Sequence, residues 1–168
     1  MKNIILENFG SFKLINFIEL ELEEKKMILQ WRNHEEVKKW MYNKEEISLE
    51  SHLKYIDSLN KIKCKQYFLV QKEKDYIGVI DFTNINYDKK ECEFGLYSNP
   101  FNKIVGVGRI LEELSIKYVF EILKFKKLKL EVFSDNKQVI NLHKKYKFHE
   151  TSRKKVNNKE VICMELSL

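Results

Sequence analysis

The 168-residue chain lacks the features that mark membrane, secreted and zinc-binding proteins. It has no run of about 18 apolar residues, the length at which a helix spans a bilayer, so we predict no membrane partner. Its start does not combine a charged segment with a continuous apolar block, so we predict no secretory signal. Its three cysteines, Cys64, Cys92 and Cys163, lie far apart and form no Cys-x-x-Cys pair. We therefore predict no disulfide framework, no metal site and a cytoplasmic location.

Alanine is absent, proline occurs once and glycine five times, and the chain has no repeat or low-complexity segment. Because no linker is visible, we predict a single domain over residues 1–168, long enough to bury a sizeable core. Arginine is also scarce: the net charge is +6, but only three of the 31 basic residues are arginine. Nucleic-acid readers depend on arginine forks and clustered basic patches, so we predict no nucleic-acid partner. The positive charge does favour small anionic ligands.

Hydrophobic periodicity predicts alternating groups of helices and strands. The predicted helices span residues 23–32, 48–59, 106–124 and 136–146. The predicted strands span residues 12–18, 66–70, 76–82, 91–97, 128–133, 147–155 and 160–166. Residues 1–10 fit either a short strand or a loose extension. This order predicts an α+β fold, with a central mixed, mostly antiparallel sheet flanked by about four helices.

A turn with two glycines, between a strand and a strongly amphipathic helix, carries the clearest chemical signal. Residues 103–109 read Lys-Ile-Val-Gly-Val-Gly-Arg. Glycines let the backbone approach a ligand closely, and the free amides and dipole of a helix start favour an anion. The turn is neither a Walker loop nor a Gly-x-Gly-x-x-Gly motif. The alternative is that Gly106 and Gly108 only turn the chain and let the helix pack.

This turn resembles the pyrophosphate loop of the GCN5-related N-acetyltransferases, Gln/Arg-x-x-Gly-x-Gly/Ala. Segments 131–136 and 142–148 resemble a second signature of that family. The resemblance implies the family fold and acetyl-CoA as cosubstrate, with a bulge at Gly95 making room for the pantetheine arm. Asn136 is an implied cofactor contact that can alternatively cap its helix. The implied cofactor-binding residues are Leu96, Tyr97, Lys103, Ile104, Val105, Gly106, Val107, Gly108, Arg109 and Asn136.

Acetyl transfer to an amine needs a polarised thioester, a neutral amine and a proton for the departing thiolate. The resemblance implies His143 as the proton donor, in place of the family tyrosine, with Tyr146 as the alternative. An imidazole can donate a proton to sulfur, although His143 can also be an ordinary, half-exposed helix residue. We predict a base at Glu131, with Asp81 and Glu93 as alternatives. No cysteine stands at a family nucleophile position, so we expect direct transfer in a ternary complex.

The acceptor is implied by residues 31–42, which hold both tryptophans and a rare arginine. With the later Ile-Ser-Leu-x-x-His-Leu, this stretch resembles the sugar-nucleotide N-acetyltransferases of the pseudaminic acid pathway in flagellated bacteria. The resemblance implies transfer to the 4-amino group of a UDP-linked 4-amino-4,6-dideoxy sugar, used for flagellin glycosylation. Residues 40–42 would form a platform under the base, and Arg32 and His52 would be cations for the diphosphate. The implied acceptor pocket comprises Arg32, Asn33, Trp40, Met41, Tyr42, His52 and Tyr97.

Other interpretations are open from the sequence. The 31–42 stretch can be core tryptophans beside a surface arginine. The function can also be that of a protein N-terminal acetyltransferase of the ribosomal-protein type, which would favour an acidic substrate groove. A non-catalytic CoA-binding sensor is a third possibility. We expect a monomer or a weak homodimer.

Overall fold

Eight strands form a single mixed sheet in the computed structural model, which describes residues 1–168. The strands are β1 (Lys2–Leu6), β2 (Gly10–Asn16), β3 (Gln66–Lys72), β4 (Asp75–Asn86), β5 (Glu91–Ser98), β6 (Lys127–Phe133), β7 (His149–Val156) and β8 (Lys159–Ser167). Their order across the sheet is β1-β2-β3-β4-β5-β6-β8-β7. Only the β5–β6 pair is parallel, so the predicted mixed, mostly antiparallel sheet is confirmed.

Five α-helices flank this sheet. They are α1 (Leu22–Asn33), α2 (Glu35–Lys38), α3 (Leu49–Ser58), α4 (Val107–Lys117) and α5 (Lys137–Lys145). The single-turn helix α2 is the addition to the four predicted helices. Ser48 caps α3 as expected from its sequence, because its hydroxyl accepts a hydrogen bond from the Ser51 amide at 3.2 Å. None of the helices is both long enough and apolar enough to cross a membrane.

Residues 1–10, which the sequence left ambiguous, are an integral part of the sheet. Strand β1 pairs with β2 in a tight antiparallel hairpin, from Lys2 opposite Leu14 to Leu6 opposite Gly10. Alternation places Ile4 and Leu6 on one face, where both are buried in the main core. The strand interpretation is therefore correct, and the loose extension is wrong.

The two faces of the sheet carry different helices. Helices α4 and α5 cover one face and form the main core, in which Leu111 and Tyr118 pack on strand residues such as Phe82. Helices α1 and α3 cover the opposite face with a smaller core, in which Trp31 packs against the layer that contains Val79. Successive strand residues point to opposite faces of the sheet. Alternate residues of one strand therefore pack against different pairs of helices.

The predicted helix 106–124 changes geometry before it ends. It continues beyond Lys117 as a π-helical turn, Tyr118–Ile122, where the Leu123 amide donates to the Tyr118 carbonyl at 2.9 Å. Tyr118 is buried and stacks on Phe82, with ring centroids 4.8 Å apart. The apolar spacing in the sequence is compatible with either helix type, so only the structure reveals the wider turn.

Candidate active site

The two parallel strands in the middle of the sheet part along their length. Strands β5 and β6 pair only from Glu91 to Glu93 with Lys127 to Lys129. Beyond that point β5 stays paired with β4 as far as Ser98, while β6 stays paired with β8 as far as Phe133. The facing edges, residues 94–98 and 130–133, are therefore not joined to each other. They leave an opening in which an extended ligand can meet strand backbone on both sides.

Gly95 lies in β5 beside this opening, but it does not form the predicted bulge. It pairs in regular register with Asp81 of β4, and the irregularity between these strands lies between Thr83 and Asn86. A Cβ atom at residue 95 would lie 2.8 Å from Asp81 Oδ2, so any side chain there would displace the carboxyl group. The glycine thus leaves room for the Asp81 carboxyl group, and the strands separate without a bulge at this residue.

Helix α4 begins beside the opening, and the backbone amides of its first turn are not capped. Gly106 is the N-cap residue in the left-handed conformation, with φ of 79°, which glycine adopts without strain. No side chain caps the helix, and its first turn contains no acidic residue. Val105 is almost fully exposed, so the loop is accessible. The free amides and the helix dipole make this end of α4 suited to an anion such as a diphosphate.

Three polar residues surround this helix start. Lys103 pairs with Glu36 of α2 at 2.9 Å, which connects the loop to the opposite side of the opening. Arg109 is exposed, and its guanidinium lies 5.7 Å from the centre of the Phe9 ring. Asn136 occupies the N-cap position of α5, but its side chain makes no capping hydrogen bond. Its side-chain amide is therefore available to a ligand. The alternative, that Asn136 only caps α5, would instead predict a hydrogen bond from its side chain to the helix backbone.

Asp81 lies in the floor of the face covered by α1 and α3. Its cross-strand neighbours are Tyr67 on β3 and Gly95 on β5. Burial raises the pKa of the Asp81 carboxyl to about 7, and the positive charge of Lys65 only partly opposes this effect. The same burial raises the pKa of Tyr97, which stands two residues from Gly95 on the same face. Asp81 is thus a carboxyl group poised to exchange a proton near neutral pH.

Arg32 projects from the last turn of α1 toward these tyrosines. Its Nη2 atom donates to the Asn43 carbonyl at 2.9 Å, and its Nη1 atom is buried without a partner. Desolvation lowers the pKa of the guanidinium, and the nearby hydroxyls of Tyr97 and Tyr67 oppose this shift. A buried guanidinium nitrogen with no acceptor is a candidate contact for an anionic ligand.

A cavity of about 350 Å³ opens at the same face. Tyr67 forms part of its wall and also neighbours Asp81 in the sheet. Lys63 and Lys65 supply positive charge, and Tyr87 supplies a second aromatic wall. The cavity therefore combines cations with flat apolar surfaces, the two types of group that a nucleotide needs.

The loop after α2 spans the opening on this face. Asn33 exchanges two hydrogen bonds of 2.9 Å with the backbone of Ile47, which anchors the base of the loop. At its tip the Tyr42 hydroxyl donates to the Glu131 carboxylate, and Asn157 donates to the Tyr42 carbonyl at 2.9 Å. Lys154 also pairs with Glu131, at 2.6 Å. Both oxygens of Glu131 are thereby engaged.

On the face covered by α4 and α5, His143 and Glu112 form a buried pair. The Nδ1 atom of His143 lies 2.8 Å from Glu112 Oε1, and the two side chains are 6% and 0% exposed. The imidazole ring also contacts Phe94, with centroids 5.9 Å apart. Phe94 is the first residue of β5 beyond its pairing with β6, so His143 lies at the root of the opening.

The profile of the acetyltransferase (GNAT) domain matches residues 15–149. The chain belongs to the GNAT acetyltransferase family. Among curated relatives, this GNAT protein is 44% and 46% identical to the acetyltransferases PseH of two Campylobacter jejuni strains, in both cases over 136 residues. Each match covers 81% of this chain and 83% of the relative.

Solved structures agree with this membership. The crystal structure of C. jejuni N-acetyltransferase PseH in complex with acetyl coenzyme A matches this GNAT chain with a TM-score of 0.76 and 36% identity. The match covers 93% of this chain and 98% of the solved one. A spermidine N-acetyltransferase from Vibrio cholerae has a TM-score of 0.83 at 21% identity, covering 93% of this chain and 95% of that one, which shows a shared fold alone.

The GNAT structure separates the residues implied for the acceptor pocket into two groups. Arg32, Tyr97 and the exposed Tyr42 border the opening on the α1–α3 face. His52 instead holds α3 to α1, because its Nε2 atom lies 2.9 Å from the Lys25 carbonyl. Burial lowers its pKa, which does not favour the suggested role as a cation. The side chains of residues 40–42 do not stack into a platform. The Trp40 ring contacts Lys39, Met41 is half-buried, and Tyr42 packs edge-on against Phe133.

The residues predicted to transfer protons differ in whether their side chains are already bonded to other protein groups. Tyr146 donates to Glu113 at 2.6 Å and ties α5 to α4. Glu131 is engaged by the loop, whereas the alternative Asp81 is free of hydrogen bonds to protein. Sequence reasoning missed Glu112 and the cationic cavity entirely. Glu112 carries no sequence signal, since it looks like any charged residue of an amphipathic helix.

Proposed function

We propose that this GNAT protein transfers the acetyl group of acetyl-CoA to the 4-amino group of a UDP-linked 4-amino-4,6-dideoxy sugar. The reaction serves pseudaminic acid biosynthesis for flagellin glycosylation and proceeds by direct transfer in a ternary complex. The observation that carries the proposal is 44–46% identity to two PseH acetyltransferases over most of both chains. A basic acceptor side supports it, because a sugar nucleotide is an anion.

The cofactor side is formed by α4 and the parted strands. The amides of Gly108 and Arg109 in the first turn of α4 hold the diphosphate of the cosubstrate. The extended pantetheine arm follows the free edge of β5 at residues 94–98, where backbone groups of Leu96 and Tyr97 orient it. Asn136 adds a side-chain contact from the start of α5, since its amide is not used as a helix cap.

Asp81 is the base on the acceptor side. A carboxyl group with a pKa of about 7 is partly ionised at neutral pH and accepts a proton from the attacking amine, directly or through a water. Glu131 is less suited, because Tyr42 and Lys154 already occupy its oxygens. His143, at the other side of the opening, supplies the proton to the departing thiolate.

The nucleotide part of the acceptor occupies the 350 Å³ cavity. Lys63 and Lys65 neutralise the diphosphate, and Tyr67 and Tyr87 flank the base. Arg32 completes the cationic lining between this cavity and the amine. The cations oppose binding of a polyamine, which is itself a polycation, and the groove is not the acidic one that an N-terminal acetyltransferase would favour.

A thiol-release assay tests the proposal. The purified protein is given acetyl-CoA with the UDP-linked 4-amino sugar, with N-terminal peptides, or with spermidine. We expect turnover with the UDP-linked sugar and not with the other amines. Turnover only with peptides or polyamines would overturn the acceptor and leave the cofactor side intact. Tight CoA binding without turnover on any amine would indicate a sensor.

Cys64 offers a probe next to the proposed nucleotide cavity, which is lined by its two chain neighbours, Lys63 and Lys65. It lies exposed between the two lysines of the wall, whereas Cys92 is buried and Cys163 is half-buried. We expect UDP to slow alkylation of Cys64 by iodoacetamide, with Cys163 as the internal reference. Equal alkylation of Cys64 with and without saturating UDP would place the nucleotide elsewhere.

A further inference from the structure

The pair of Glu112 and His143 is costly for a purely structural contact. Moving a carboxylate out of water costs several kcal/mol, which a single hydrogen bond repays only in part. Here the Glu112 side chain is completely buried in the interface between α4 and α5. Its second oxygen, Oε2, is buried without any partner. The carboxylate therefore acts on one group only, the Nδ1 atom of His143.

Other ionisable groups in this interface are paired among themselves. Tyr146 donates to Glu113, and Arg109 lies close to the same tyrosine. The aromatic neighbours of the His143 ring are Phe94 on β5 and Phe148 after α5. Glu112 is the charged group that bonds to the imidazole.

The free edge of the imidazole points away from α4. Because Nδ1 faces Glu112, the Nε2 atom lies toward the other side of the ring, where no protein group bonds to it. Arg32 Nη1 and Glu112 Oε2 are the buried side-chain polar atoms that have no partner, and Nε2 is not among them. Nε2 therefore keeps some accessible surface, and the ring that carries it contacts Phe94 at the root of the opening.

We propose that Glu112 is a positioning residue that holds His143 with Nδ1–H toward α4 and Nε2 toward the reacting thioester. This inference rests on the proposed acetyltransferase function. When the carbon–sulfur bond breaks, its electron pair goes to sulfur, and the proton on Nε2 of the imidazolium moves to the thiolate. The ring becomes neutral and keeps its Nδ1 proton on Glu112 Oε1. Asp81 takes the proton of the amine and releases it to solvent. The imidazole ring then regains a proton from solvent.

The tautomer of His143 tests the geometry without any substrate. Nitrogen-15 NMR of the unliganded protein, assigned by comparison with His143→Gln, reports which ring nitrogen carries the proton when the ring is neutral. We expect the Nδ1–H form, and we expect its share to fall in Glu112→Gln. A neutral ring protonated on Nε2 would overturn the proposal. The tautomer does not depend on which amine is the acceptor. Failure of this test can therefore be distinguished from failure of the proposed function.

Kinetics separates positioning from a structural role. We expect Glu112→Gln, which keeps the shape of the side chain, to lower kcat by about tenfold to a hundredfold and to leave KM for acetyl-CoA within about twofold. Glu113→Gln, one residue along the same helix, is the matched control and should retain kcat within about threefold. If Glu112 acts through His143, the same change in a His143→Gln background should lower kcat less than about twofold. An equal loss in both backgrounds would overturn the inference.

Discussion

The two faces of the sheet hold their acidic side chains in opposite ways at the opening. On the α1–α3 face, Asp81 has no hydrogen-bond partner in the protein, and burial raises its pKa against the opposing charge of Lys65. On the α4–α5 face, Glu112 is fully enclosed and bonded to a histidine. The free carboxyl group can exchange a proton with a ligand or water, whereas we infer that the enclosed carboxylate orients the histidine bonded to it. In the proposed reaction, proton removal by Asp81 of β4 and proton delivery by His143 of α5 thus take place on opposite faces of one sheet.

Loss of the free carboxylate should have the largest effect on activity. Asp81→Asn keeps the size of the side chain but cannot accept a proton, so we expect kcat/KM at pH 7 to fall by about a hundredfold to a thousandfold. Because the base must be ionised, wild-type kcat/KM should rise with pH through about 7. Asp81→Asn should lack this rise. A full pH profile checks both, and an unchanged rise would assign it to another group.

Removal of the cation between the cavity and the amine should have the next largest effect. We expect Arg32→Ala to raise KM for the UDP-linked sugar by about tenfold to a hundredfold, because a charge-assisted contact is lost. KM for acetyl-CoA should stay within about twofold. Arg153→Ala is the matched control, since Arg153 lies on the edge strand β7 in exposed pairs with glutamates. Equal effects of the two substitutions on KM for the UDP-linked sugar would show that Arg32 does not contact the acceptor.

The same Asp81 change should stabilise the fold, which sharpens the contrast between a free and a bonded carboxyl group. The folded-state pKa of about 7 lies above the ordinary value of about 3.9, so ionisation destabilises the folded state as pH rises through this range. Relative to wild type, Asp81→Asn should gain no stability below pH 4 and about 1–3 kcal/mol above pH 8. Urea unfolding at several pH values measures this gain. The exposed Asp75→Asn, on the same strand, should show no such trend.

Glu131, the base first expected from the sequence, should give the smallest effect. Glu131→Gln removes partly exposed contacts with Tyr42 and Lys154, each worth at most about 1 kcal/mol. We expect kcat/KM to change by less than about threefold. A loss as large as that of Asp81→Asn would reverse the assignment of the base.

The sequence predicted most elements, because helix and strand periods are local. It also located the turn at 103–109, since the glycine spacing is itself the signal. It placed Glu131 ahead of Asp81 as the base, because the contact that engages Glu131 joins it to Tyr42, 89 positions away, and leaves no local pattern. Glu112 was invisible for the same reason, as only the packing of α5 on α4 buries it. The absent bulge at Gly95 shows that a glycine in a strand does not by itself predict a bulge, since here it leaves room for the Asp81 carboxyl group.

The outermost strands give the sheet unequal edges. Strand β7 is exposed along almost its whole length and carries consecutive cationic side chains at Arg153, Lys154 and Lys155. Such charges oppose the addition of a further strand. At the opposite edge, β1 exposes Ile5 and bears one cation, Lys2. Charge at β7 therefore opposes backbone pairing with another extended chain, whereas β1 opposes it far less. Strand β1 is thus the edge to modify if the protein aggregates at high concentration.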